Sequence, residues 1–504
     1  MALFAISQGR VHDPENSRHA TVVCIVVIAA ALLFSALFVG SSSMGAKWFF
    51  LCCVTMLAAA FALVFPNFRL FLVLTLVACI PVAIQYKLFD RDNKYTILEH
   101  FGGAQGTAVV SLVDFPIAAL LLLWLVDLAN QRVKPPKWLR FDTYVVLFLL
   151  VSALSMYNTD DYALLFFEVL RYLKYYLLFW MLRTYLEEPG FVRYCLYVVV
   201  AVAGSQFLLA CLQYFLFFSL PFPVGGVSGS HFDMVSNTVI QRVTGTVGHA
   251  NTFAAYLLFP IVVSFVMMLA DPLRLVRWAG AILFVTSCIT LVLTFSRNAW
   301  LFSSLAVVIL WGSGIAAKRI SALTLFGILG LVMVILGGLT LSGVMEVILV
   351  RVLEDDGKAY ESRWDLIKVA VEMIMAHPVL GIGLNSFEEN MSFYDMTGVT
   401  NIIKQPVHNA LFLIAAESGL ISLVLFLLMC GSVVERVMFI IRRRDDDSFL
   451  IGVSAGISLL ILLLSNQFDV TLRKEPIIGM CVFFIAAVMA TAERGAYVRA
   501  EAAP

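Results

Sequence analysis

Charge is what this chain has least of. Only 13% of its 504 residues are Asp, Glu, Lys or Arg, while 61% are hydrophobic and the mean hydropathy is +0.93. A water-soluble chain of this length could not cover its surface with so few charges, so the bilayer is the expected solvent. The charges also cancel to a net of zero, which removes the bulk electrostatic ground for a nucleic-acid partner. Cysteine forms no C-x-x-C pair. Cys24, Cys52, Cys53, Cys79, Cys195, Cys211, Cys288, Cys430 and Cys481 all lie in or at the ends of apolar runs. That pattern indicates neither a disulfide framework nor a zinc site. A fixed-period repeat and a low-complexity tract are both missing. The first apolar run, after a polar start with Arg10 and Arg18, carries no small-residue cleavage site of the signal-peptide kind and reads as a retained span.

What the chain has is apolar runs of spanning length. They fall near 20–40, 47–66, 68–86, 112–129, 141–157, 163–182, 191–218, 250–270, 277–295, 297–315, 320–341, 408–434, 449–466 and 476–492. The fold class this predicts is all-α: a polytopic integral membrane protein of about 12–14 transmembrane helices. Basic residues then set the orientation, because Lys and Arg concentrate in cytoplasmic connections. With the N-terminus inside, the inner connections hold Arg69, Arg132, Lys134, Lys137, Arg140, Arg183, Arg193, Arg274, Arg277, Lys318, Arg319, Arg436 and Arg442 to Arg444. The outer connections hold only Lys47, Lys87, Arg91, Lys94, Arg242, Arg297, Arg473 and Lys474 besides the one long insertion. Both termini are therefore expected in the cytoplasm. The chain divides into spans over 1–341, an extracytoplasmic loop domain over 342–407 with amphipathic helices, and spans with a cytoplasmic tail over 408–504.

Several residues stand where an apolar protein needs a reason for them. His408 precedes a long apolar helix start, whose partial positive charge disfavours imidazolium and leaves a neutral proton acceptor. A hydrogen-bonded interface histidine is the plainer reading. Arg297 opens a helix on the outer side, a poor place for a cation unless an anion is shared with the free N–H groups there; snorkelling to lipid phosphate is the alternative. Arg242 and His249 precede another outer helix start, where Gly245 and Gly248 let backbone approach a ligand and Asn251 or Thr252 could cap. Glu168, Arg171 and Lys174 share one helix side inside an apolar span, with Arg171 on the order of 10 Å deep at 1.5 Å per residue. Charge buried in a bilayer is functional by default; an internal Glu168–Arg171 pair would still leave Lys174 over. Glu417 is buried in the last long span and, nine residues past His408, is not paired with it. Arg363 begins an amphipathic stretch with an apolar stripe of Trp364, Ile367, Val371 and Ile374, suited to lying over the outer surface. Asp90-Arg91-Asp92 mimics a metal-binding DxD of nucleotide-sugar enzymes but falls outside, where such donors are absent, and reads as a solvated turn. His377, followed by Pro378, reads as a helix stop.

Taken in order, Arg242…Gly245-Thr246-Val247-Gly248-His249-Ala250-Asn251, Ser296-Arg297-Asn298-Ala299-Trp300-Leu301, Ser362-Arg363-Trp364…His377-Pro378-Val379-Leu380-Gly381-Ile382-Gly383 and His408-Asn409…Glu417-Ser418-Gly419 resemble the O-antigen ligase and polymerase family of membrane glycosyltransferases. The resemblance implies a GT-C-like membrane enzyme of the bacterial inner membrane. Such an enzyme transfers a saccharide from an undecaprenyl-diphosphate-linked donor to an acceptor hydroxyl, glycan or lipid, in the periplasm. It does so with inversion and without metal, cofactor or nucleotide. Carried onto this chain, His408 is the general base and Arg297 and Arg242 hold the diphosphate. His249, Asn251, Arg171, Lys174 and Arg363 are the candidate substrate-binding residues. Membrane lipids and other polysaccharide export components are the remaining expected partners. A secondary transporter using Glu168, Arg171, Lys174 and Glu417 is the rival from another class; it calls for a two-fold repeat that the lopsided polar residues do not show.

Overall fold

The computed structural model describes residues 67–87, 109–218, 231–235, 238–316, 346, 348–349, 357–401, 403–443 and 446–501. The expected runs at 20–40, 47–66 and 320–341, and Asp90-Arg91-Asp92, lie outside the described residues. Among those described, thirteen α-helices follow one another: α1 (Phe68–Cys79), α2 (Asp114–Ala129), α3 (Arg140–Leu154), α4 (Tyr162–Leu186), α5 (Phe191–Leu216), α6 (Ala250–Ala270), α7 (Arg274–Leu293), α8 (Arg297–Ala316), α9 (Gly357–Ala376), α10 (Phe387–Tyr394), α11 (Ala410–Ile441), α12 (Asp446–Ser465) and α13 (Glu475–Glu501). Two short antiparallel hairpins join them, β1 (Gln85–Lys87) with β2 (Val109–Ser111), and β3 (His231–Val235) with β4 (Thr238–Arg242). The protein is thus an all-α polytopic membrane protein. Seven helices are long and apolar enough to cross a bilayer by length and composition: α3 with its 3₁₀ extension to Asn158, α5, α6, α7, α11, α12 from Ser448, and α13 up to Arg494.

The bundle is wound around α6. Its sequence is apolar on every side, which a helix tolerates in a core or a membrane but not on a wet surface, and nearly every side chain from Ala250 to Met267 is buried. α7, α12, α8, α5 and α13 pack around it, and Phe259 stacks on Phe484 of α13 with ring centroids 5.3 Å apart. α11 packs on α3, and α13 on α4.

Residues 357–407 form a second, smaller apolar cluster against the end of this bundle. α9 does not lie on it by the stripe its sequence suggests. Leu366, Val369, Ala370 and Met373 are the buried set, while Trp364 is 50% exposed. The reason is the partner: these four face Phe387, Met391, Val399, Val407, Leu413 and Ala416 rather than a lipid surface. α9 stops at Ala376, as the following His377-Pro378 requires.

α11 is broken where that segment meets it. Gly419 adopts φ 81°, ψ 170° inside the helix, and the carbonyls this frees are not left bare. Ile382 N–H donates to Ala416 O at 2.9 Å, Gly383 N–H to Glu417 O at 3.0 Å, and Leu420 N–H to Pro378 O at 2.9 Å. The two backbones touch: a Cβ on Gly381 would lie 2.3 Å from the Glu417 carbonyl carbon, and one on Gly419 2.1 Å from Val379 O. Only glycine fits either place, and both have positive φ besides. Non-helical backbone at a membrane helix is tolerated where protein supplies such partners.

Candidate active site

Three connections at one end of the bundle meet around His408. The first is the stretch 241–251. α5 presents Gln206 and Gln213 on one face, seven residues apart, and they fasten this stretch from beneath. Gln213 Oε1 accepts from the N–H groups of Thr244 and Gly245 at 3.1 and 3.0 Å, and Gln206 Oε1 accepts from Thr246 N–H at 3.0 Å. Held this way, His249 serves as the N-cap of α6, its Nδ1 accepting from Asn251 N–H at 3.3 Å. The cap expected of Asn251 is thus made by His249. The Asn251 side chain turns instead to Arg242, whose Nη2 donates to Asn251 Oδ1.

The second connection is the tight turn between α7 and α8. Arg242 Nε donates to Thr294 O at 2.7 Å and Val243 N–H to Leu293 O at 3.2 Å, so this turn is clamped to the first stretch. Arg297 begins α8 directly after it. The next residue, Asn298, donates to Ser465 O and Ser465 Oγ at 3.1 and 3.0 Å, which ties the start of α8 to the end of α12.

The third is the connection 466–474. Asn466 folds it, its Oδ1 accepting from Leu472 N–H at 2.8 Å and from Thr471 Oγ1 at 3.2 Å. Its carbonyl accepts from Ala410 N–H at 2.8 Å, bringing the start of α11 alongside. Asn409 caps α11 through Oδ1, which accepts from Leu411 and Phe412 N–H at 3.0 and 3.1 Å. Hydrogen bonds and short stretches of chain therefore link Asn251, Arg242, the Thr294 turn, Asn298, Ser465, Asn466 and the His408–Asn409 helix start.

His408 is partly buried. Its Nε2 lies 3.2 Å from Gln405 Oε1 and its Nδ1 3.9 Å from Asp469 Oδ1, beyond hydrogen-bonding length. With Nε2–H given to Gln405, Nδ1 is the atom left to take a proton. A new imidazolium would then face the Asp469 carboxylate. Burial opposes ionisation of Asp469, but His408, the Val470 N–H and the more distant His249 together hold its carboxyl below the ordinary range. Asp469 is a residue that sequence reasoning passed over. Its signal was an acid in a short connection at the end of the bundle where His408 lies.

The other expected site residues fall differently. Arg171 Nη2 pairs with Glu168 and its Nη1 donates to Arg473 O at 2.8 Å. Lys174 is not left over: it pairs with Asp114 at 3.0 Å and with Glu475 at 2.8 Å. Arg473 in turn pairs with Glu417, whose other oxygen accepts from Phe387 N–H at 3.1 Å. These residues form a buried ion network that begins where the 466–474 connection ends. Arg363 is exposed on α9 and takes no part in either group. Among the described residues no group of three or more His, Cys, Asp or Glu side chains is arranged to hold a metal ion.

Comparison with curated proteins yields no match. A family model does match. Residues 282–427, which run from the middle of α7 through Arg297, Arg363, the Gly381 crossing and His408 into α11, fit the model described as Wzy_C, O-Antigen ligase. Arg242, His249, Asn251, Arg171, Lys174 and Asp469 lie outside the matched stretch. The protein is therefore a multi-pass membrane protein in which residues 282–427 match the O-antigen ligase domain.

Proposed function

We propose that the chain transfers a saccharide from an undecaprenyl-diphosphate-linked donor to an acceptor hydroxyl on the periplasmic side of the bacterial inner membrane, with inversion and without metal. The observation that carries this reading is the path of hydrogen bonds and short chain stretches that gathers Arg242, the Arg297 helix start and His408 at one end of the bundle. His408 Nδ1 takes the proton of the acceptor hydroxyl, and the oxygen attacks the anomeric carbon of the donor. The bond from that carbon to the diphosphate oxygen breaks, and the diphosphate leaves with the electron pair. Asp469 stabilises the imidazolium formed, 3.9 Å away. Arg297, Arg242 and the partial positive charge at the start of α8 take up the negative charge growing on the diphosphate, the part a divalent cation plays in other transferases. His249, the N-cap of α6, reaches the same leaving group. Arg171 and Lys174 act from behind, through the ion network that sets Arg473. In this arrangement both termini are cytoplasmic, 342–407 is the periplasmic loop domain, and the spans lie in 1–341 and 408–504.

The test is a cell-free assay with lipid-linked donor. His408→Ala is expected to lower transfer by about 10²–10⁴-fold, the usual worth of a positioned general base, with membrane insertion unchanged; transfer at the wild-type rate rejects His408 as base. Arg297→Lys is expected to lose about 10²-fold or more, because a point charge does not replace a bidentate fork on a charged leaving group. Surface glycans of a deletion strain separate the two family activities: short chains mark a polymerase, and unattached full-length chains mark a ligase.

A further inference from the structure

Two of the residues given the chemistry above stand on different helices, Arg297 at the start of α8 and His408 just before α11. In the sequence an asparagine follows each of them, Asn298 and Asn409. Both side chains reach across to the same three residues at the end of α12. Asn298 Nδ2 donates to Ser465 O at 3.1 Å and to Ser465 Oγ at 3.0 Å. Asn409 Nδ2 donates to Gln467 O at 3.3 Å, and between them Asn466 O accepts from Ala410 N–H at 2.8 Å. Carbonyls at the end of a helix have no partner within it and need donors from elsewhere, for which water would serve. Here the donors come instead from the residues beside Arg297 and His408.

The tripeptide that receives them is braced. Ser465 is 2% exposed and Asn466 wholly buried. Asn466 spends its side chain on its own turn: Nδ2 donates to Leu462 O at 2.9 Å, and Oδ1 accepts from Leu472 N–H at 2.8 Å. Gln467 Nε2 donates to Leu463 O at 2.9 Å. Successive Cα atoms are about 3.8 Å apart, so Ser465 and Gln467 lie no more than about 7.6 Å from one another. α8 and α11 both pack on α12, and the spacing of their starts is thereby set on one short piece of chain. We propose that Asn298 and Asn409 are positioning residues. They dock the Arg297 and His408 helix starts on Ser465-Asn466-Gln467 and fix the distance between the proton acceptor and the group that takes up the leaving charge. This rests on the transferase reading above. Direct displacement needs both groups at once, and a misplacement of about 1 Å costs on the order of 10²-fold in rate.

The experiment uses the full chain in lipid nanodiscs, with two arms. Asn298→Ala removes the amide on the α8 side. Asn409→Ser removes it on the α11 side while keeping an oxygen that caps the helix. The first arm needs no donor: amide hydrogen exchange is followed at Trp300, whose N–H bonds to Ser296 O, and at Ala410, whose N–H bonds to Asn466 O. Loss of one such tie is expected to speed exchange about fivefold, at Trp300 in Asn298→Ala and at Ala410 in Asn409→Ser. The second arm follows transfer from lipid-linked donor. Each variant is expected to lower kcat about 10- to 100-fold, with both KM values within about threefold and the thermal midpoint near that of wild type. Asn409→Ser should lower the residual rate of His408→Ala no further, since it acts only through that ring. Wild-type kcat in both variants overturns the proposal. So does a lowered kcat with unaltered exchange, or a loss that multiplies in full with that of His408→Ala, the mark of general loosening. If the wild type itself transfers nothing, the transferase reading fails. The exchange arm then decides alone whether 465–467 joins the two helix starts.

Discussion

The bundle has a buried charge cluster at each end, and they are built to opposite standards. At the end away from His408, Arg183 is wholly buried and spends its guanidinium on protein. Nε donates to Glu493 at 2.9 Å, Nη1 to Asp142 at 3.2 Å, and Nη2 to the Lys137 carbonyl. Asp142 is matched in turn, accepting from Trp180 Nε1 at 2.9 Å and Tyr176 OH at 3.1 Å and capping α3 through Leu139 N–H at 2.7 Å. At the His408 end, charges of the same kind keep atoms in reserve: His408 Nδ1, Glu168 Oε2, Arg473 Nη1 and both oxygens of Glu388. A saturated cluster can only hold the fold together. An unsaturated one, equally buried, is worth its desolvation cost where something else completes it.

The comparison breaks most visibly at the saturated end. Arg183→Met strands Asp142 and Glu493, and removal of one partner of a buried pair typically costs about 3–5 kcal/mol. Thermal unfolding in detergent should fall steeply, and an unchanged midpoint would mean the cluster is not structural. At the other end the direction reverses. Burial pushes the Glu388 carboxyl up to about 7 from an ordinary 4.5. A carboxyl raised on folding favours the fold below its unfolded value, and that support is lost as pH climbs through its folded value. Glu388 should therefore weaken the fold between about pH 4.5 and pH 7, by at most about 3 kcal/mol above that window. Glu388→Gln should flatten that stretch of the stability profile and raise the unfolding temperature at pH 8, and equal slopes for the two proteins would refute the assignment. The smallest effect is at the join: Asn409→Ala removes the cap of α11 beside His408 and should cost about 1 kcal/mol of stability, measured by urea or thermal midpoint.

Much of this was legible in the sequence, and the reasons are local. Apolar run length located α2 to α8 and α12 to within a few residues, and the starts though not the ends of α11 and α13, since spanning length is set by the bilayer rather than by neighbours. Pro378 marked the end of α9, and a cation at a helix start marked Arg297. What could not be read was decided by contacts distant in sequence. The buried face of α9 is chosen by α11 and the segment after α9, so a stripe drawn from α9 alone put Trp364 on the face laid over the protein's surface. Lys174 looked unpaired because its partners are Asp114 and Glu475, far along the chain in either direction. Glu388 sits in a polar-looking Ser386-Phe387-Glu388-Glu389-Asn390 run, where nothing distinguishes a carboxyl turned fully inward from its half-buried neighbour.

The meeting of Gly381 with Gly419 also dictates an order of assembly. Residues 377–383 are synthesised before the helix whose carbonyls they will bond exists, and no side chain can be threaded between the two glycines afterwards. That segment can seat itself against the break at Gly419 only once α11 has formed. Completion of the His408 end is for that reason a closing event in biogenesis, made by whole secondary elements sliding home rather than by a side chain choosing a rotamer.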